Sequence, residues 1–162
     1  MIERELAEAV IQHFWAGRPV PVNPEEIAVK AGIEVRSISP FEPGYDPAIS
    51  GAYANDGKRP VISYNLGDTP NRQRFTIAHE LGHHFLQHGP RFRDTSATLA
   101  GGSYDPIEVA ANRFAAELLM PAYAMRVLIV DQGVTSVDVL ASAMQVSEQA
   151  MIYRLKNLGY IR

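Results

Sequence analysis

The sequence contains no cysteine. Disulfides therefore contribute nothing to its stability, and a bound metal would have to sit on His, Asp or Glu rather than on thiolate. Long apolar runs are missing too. The longest aliphatic stretch, Val127 to Val130, falls far short of the roughly 20 residues that span a bilayer. The opening residues, Met1-Ile2-Glu3-Arg4-Glu5-Leu6, have neither the basic start nor the apolar stretch of a signal peptide, so the cytoplasm is the expected location and no membrane is an expected partner. A basic excess is also absent. The formal net charge of −3 argues against a protein whose main business is coating nucleic acid.

What is present is an ordinary soluble composition, 162 residues with 46% hydrophobic and 20% charged. A chain of this length suits one domain, or one domain with a small appendage, and buries roughly 68–70% of its unfolded surface. The first 16 residues read as an amphipathic helix, with His13 on its apolar side as a core histidine. Asn23-Pro24 opens a short helix that Gly32 closes, and 33–38 alternates as a strand does. Two more strands, about 49–54 and 60–64, flank an Asp56-Gly57 hairpin signal. A long helix over about 71–88 follows, then a loop rich in Gly, Ser and Thr over 89–104. Helices are expected from Asp105-Pro106 to Met120, over 122–131, and near 136–143 and 148–158. The expected class is α+β, with a small three-stranded sheet packed on helices.

The chemistry sits in the first long helix. His79-Glu80-Leu81-Gly82-His83 is an H-E-x-x-H motif, and an i, i+4 spacing puts His79 and His83 about 40° apart on one helical face. Two imidazoles so placed can reach one tetrahedral zinc ion. Glu80, about 100° round from His79, flanks that ion without ligating it and can act as general base. The motif alone carries a false-positive risk, but its neighbours Phe75, Ile77, Ala78, Leu81, Phe85 and Leu86 are apolar, unlike a surface helix with incidental histidines.

A third protein ligand is needed. No further histidine follows His83 at metzincin spacing, so a glutamate from a later helix is expected. Glu108 is favoured, with Asn112 one turn on as a hydrogen-bond partner for a ligating imidazole. Glu108 also fits a capping box after Asp105, and Glu117 is a rival ligand about 180° away on the same helix. His84 and His88 lie about 140° and 180° from His79 on a continuous helix, and a structural role is expected for both. Tyr53, Tyr104, Tyr123 and Arg113 stand as alternatives for stabilising an oxyanion. Arg91 and Arg93 read as a solvated segment. Ser50 to Ala54 is either a sheet edge that receives an extended substrate or an ordinary packing strand.

These residues resemble the ImmA/IrrE family of metallopeptidases. The matching stretches run from Arg72 to His83 and from Glu108 to Pro121, with the strand Val61-Ile62-Ser63-Tyr64-Asn65 similar as well. The resemblance implies a compact, gluzincin-like zincin domain with two His and one Glu as zinc ligands. It favours Glu108, because its spacing to Asn112 follows the E-x-x-x-N or -D pattern of such enzymes. It also implies the substrate: a helix-turn-helix repressor or antitoxin, encoded nearby, whose cleavage relieves repression. Mn²⁺ or Fe²⁺ would also suit such ligands.

Residues 1–133 are then expected to form the metallopeptidase domain and 134–162 a helix-turn-helix-like appendage packed on it. That appendage carries Arg154, Lys156 and Arg162 against Asp138 and Glu148, a weak basic balance for a DNA reader. Nucleic acid is therefore not the expected partner. A non-hydrolytic antirepressor is the main alternative function, with a DNA-binding regulator behind it.

Overall fold

A computed structural model describes residues 2–88, 91–95 and 105–162, the segment 91–95 by its backbone. The first helix, α1 (Ile2–Phe14), buries Glu3, Ala7, Val10 and Ile11, with Phe14 half-buried. His13 falls outside that stripe and is exposed, so the core position expected for it is not observed. The stripe advances by three and four residues through Val10 to Phe14, and His13 lies on its flank. In α2 (Pro24–Lys30) the Asn23 side chain accepts from the Glu26 amide, and Pro24 takes the first helical position, where no amide is needed.

Four strands form one sheet: β1 (Glu34–Ile38), β2 (Ile49–Asn55), β3 (Pro60–Asn65) and β4 (Arg91–Thr95), in the order β1-β3-β2-β4. β1 runs parallel to β3, while β2 is antiparallel to both of its neighbours. The β2–β3 turn uses Gly57 at φ +83°, a left-handed conformation that a side chain disfavours. Three of the strands are those expected. The fourth occupies part of the segment read as a loop, and the rest of that segment lies outside the described residues.

This fourth strand changes the sheet's edges. β2 pairs with β3 on one side and β4 on the other, so Ser50 to Ala54 is an interior strand, and among the described residues the edges are β1 and β4. The β2–β4 ladder shifts register on both sides of Gly51.

The helix α3 (Pro70–Phe85) starts where the Thr69 side chain accepts from the Arg72 amide. It packs against β2 and β3, against α2, and most extensively against α4 (Pro106–Leu119). Every residue from Thr76 to His83 is buried. A helix enclosed on all sides has no polar face, so His79, Glu80 and His83 stand inside the protein rather than on it.

After α4, α5 (Ala122–Arg126) runs into a π-helical turn, Val127–Asp131, closed by the Gln132 amide on the Val127 carbonyl. The chain ends in α6 (Val137–Met144) and α7 (Glu148–Asn157), the latter capped by Ser147. One apolar cluster joins Val10, Ile27, Ile62, Leu81 and Phe114 to Leu140, Met144, Met151 and Leu155. Each such large side chain contributes roughly 1.5–3 kcal/mol when fully buried. Polar ties reinforce the C-terminal contact. Arg74 of α3 donates to the carbonyls of Val22, Met144 and Gln145, satisfying the open C-terminal end of α6. Arg154 of α7 donates to the Met120 carbonyl and pairs with Glu117 of α4. The fold class is α+β, and no helix among the described residues is long and apolar enough to cross a membrane.

Candidate metal centre

The site depends on how closely α3 and α4 approach each other. Gly82 faces Ala111 at the crossing. A Cβ on Gly82 would lie 3.1 Å from both the Ala111 Cα and its carbonyl oxygen, and 3.3 Å from Phe114 Cδ1. With no side chain between the helices, residues on facing turns converge. His79 and His83 come from α3, and Glu108 from the first turn of α4.

The Nε2 atoms of His79 and His83 are 3.1 Å apart. Glu108 Oε2 lies 3.0 Å from the first and 3.4 Å from the second. Bonds of about 2.0–2.1 Å place the ligand atoms of a tetrahedral zinc ion roughly 3.3 Å apart, so the three edges of this triangle bracket what such an ion requires. The donor set, two imidazoles and a carboxylate with one corner of the tetrahedron left over, suits a divalent cation that keeps a position for a reactant. This same trio forms a possible metal-holding group, and Glu80 lies outside it.

Hydrogen bonds fix the imidazoles. His79 Nδ1 meets Asn112 Oδ1 at 2.9 Å. An amide oxygen only accepts, so Nδ1 carries the proton and the Nε2 lone pair is turned to the trio. His83 Nδ1 is 3.0 Å from His88 Nδ1. Burial by itself would raise the pKa of Glu108. Without an ion between them, the imidazoles can instead take up protons at Nε2 and donate to Glu108, which outweighs burial and holds the carboxyl well below the usual carboxylate range. Asp105 caps α4, accepting from the Ile107 amide, while the Glu108 carboxylate meets the two imidazoles instead of turning back to the cap.

Glu117 is elsewhere. It is buried on the other side of α4, accepting from Arg154 and from the Ala122 amide. Glu80 is fully buried beneath β2, where Gly51 makes room for it. A Cβ on Gly51 would collide with Thr76 Cγ2, lie 2.9 Å from the Ser63 carbonyl and approach Glu80 Oε1 to 3.2 Å. Of the oxyanion alternatives, the Tyr53 hydroxyl is bonded to His84 Nδ1 at 2.9 Å, and burial lowers the pKa of that imidazole. Tyr123 is exposed, Arg113 is exposed and points to Glu3 at 3.9 Å, and Tyr104 lies outside the described residues, as do the side chains of Arg91 and Arg93.

Three contributors escaped the sequence reading. Gly51 and Gly82 had a usable signal, since a glycine inside a strand or helix marks a close backbone approach. His88 did not. The expected helix runs to residue 88, but α3 ends at Phe85. Gln87 adopts φ +58° and swings His88 back beside His83.

Fold and site together define a mixed α+β protein with a metal-sized His–His–Glu trio on two crossing helices. The chain belongs to the Peptidase M78 family, the IrrE N-terminal-like domain, which matches residues 30–156. Among curated proteins, no sequence matches it. A solved Mycobacterium tuberculosis transcriptional regulator superposes with a TM-score of 0.63 at 18% identity, a likeness of fold. The superposition covers 94% of this chain but only 46% of that regulator, so this chain spans less than half its length.

Proposed function

We propose that the protein is a zinc-dependent endopeptidase of the cytoplasm, with His79, His83 and Glu108 as ligands and Glu80 as catalytic base. The convergence of two imidazoles and a carboxylate inside a chain of the M78 family is the observation that carries this reading. Bound zinc would supply Lewis acidity, polarising the scissile carbonyl and lowering the pKa of a water. Glu80 takes the proton of the attacking water and returns it to the leaving amine. Asn112 holds the His79 ring in its ligating tautomer. A sheet edge suits an extended peptide, and among the described residues β4, rather than β2, offers one.

By family resemblance, the proposed substrate is a helix-turn-helix repressor encoded nearby. Residues 1–133 form the peptidase domain and 134–162 an appendage docked on it. Because Arg154 is spent on Glu117, Lys156 is the exposed cation of α7, which favours a packing role for that helix over DNA binding. A second reading is that the protein sequesters its partner without cutting it.

Replacing Glu80 by Gln separates the two. Zinc-loaded protein and Glu80→Gln are incubated with the neighbouring repressor, and products are read by mass spectrometry. The peptidase reading expects one discrete cut, slowed by about 10²–10⁴-fold in the variant with repressor binding retained. Derepression that survives the substitution unaltered contradicts it.

A further inference from the structure

The two ligating histidines are each held at Nδ1, and by different elements. Asn112 of α4 serves His79, while His83 is served from just beyond the end of its own helix. The chain makes that second contact with a specific backbone device. The Leu86 amide donates to Gly82, the Gln87 amide to His84, and the His88 amide reaches back to the His83 carbonyl at 3.0 Å. Gln87 sits at φ +58°, a conformation usually left to Gly or Asn. A glutamine held there costs free energy that the surrounding contacts must offset. The outcome is the half-buried His88 ring edge-on to His83, with centroids 5.2 Å apart.

Resting on the metal-centre reading above, we propose that His88 is a positioning residue for His83. Its Nδ1 accepts the Nδ1–H of His83, which leaves the His83 Nε2 lone pair directed at the ion. Neutral imidazole suits this role, because one ring nitrogen can accept while the other keeps its proton. The backbone bond between residues 88 and 83 survives any side-chain change, so a substitution tests the ring alone.

The test uses the full chain and two variants, His88→Ala and His88→Asn, the second keeping an acceptor near the Nδ1 position. Zinc affinity is measured by competition with a chromophoric chelator, alongside the melting temperature of the metal-free forms. The expected result is a loss of about 10- to 100-fold for Ala, rescue to within about threefold by Asn, and metal-free melting temperatures that match wild type. Wild-type affinity in the Ala variant overturns the proposal, and so does an Asn variant as weak as Ala. Nitrogen-15 spectra of the zinc-loaded wild type give a check that needs no variant. They should show His83 protonated at Nδ1 and His88 protonated at Nε2 only, and a proton on His88 Nδ1 overturns the assignment. If wild type takes up no zinc, the metal-centre reading itself fails and carries this inference with it.

Discussion

Two buried glutamates on opposite faces of α4 have opposite fates. Glu117 is 1% exposed and lies against the Arg154 guanidinium, with the Ala122 amide as a further donor. Glu108 is 5% exposed and faces two imidazoles, and among the described residues no Lys or Arg pairs with it. A carboxylate taken out of water costs several kcal/mol unless a cation is close. The chain supplies that cation as a guanidinium for Glu117, whereas Glu108 faces two imidazoles that could hold a metal ion with it. Residue type and burial class are the same, so the partners decide which glutamate ties the fold together and which one joins a group able to hold a metal.

The sharpest way to break this contrast is to remove a member of the trio. His79→Ala or His83→Ala should weaken zinc binding on the order of 10⁴-fold, about a third of a three-ligand binding energy near 15 kcal/mol. Chelator competition measures it, and a loss under tenfold would mean the ion sits elsewhere. Glu117→Ala should act on the other side of the comparison. Stranding the buried Arg154 should cost about 3–5 kcal/mol in urea unfolding, with zinc affinity of the folded protein within about threefold of wild type. A large zinc effect there would merge the two glutamates into one system.

Gly82→Ala tests the helix crossing that separates the two faces. The added Cβ meets Ala111 backbone rather than a flexible side chain, so about 1–3 kcal/mol of stability should be lost, and zinc affinity should fall with it. Asn112→Ala should weaken zinc by about 10- to 100-fold while leaving metal-free stability nearly intact. The smallest effect is expected from Glu108→Gln in metal-free protein. Volume and an acceptor oxygen persist and no guanidinium is stranded, so the loss of unfolding free energy in urea should stay below that of the Glu117 variant.

The local part of this site was legible because H-E-x-x-H is a statement about one helix, and a helix has a fixed period. The choice between Glu108 and Glu117 was not local. Both spacings were compatible with α4, and only the approach of α3 along the Gly82–Ala111 contact decides which face meets the histidines. Most helix and strand positions followed from Pro, Asn, Gly and Ser punctuation, as at Asn23-Pro24, Asp56-Gly57 and Ser147. β4 did not, because its segment carries no apolar alternation and is specified by pairing with β2. The end of α3 was missed for a related reason. Gln87 has no intrinsic preference for the left-handed turn, so tertiary contacts impose it.

The most direct measurement is a calorimetric titration of chelator-stripped protein with zinc. Saturation is expected at one ion per chain in wild type, Glu80→Gln and Glu117→Gln, with no saturable binding once both His79 and His83 are alanine. No saturable uptake by wild type, or an unchanged isotherm in the doubly substituted chain, would contradict the metal-centre reading.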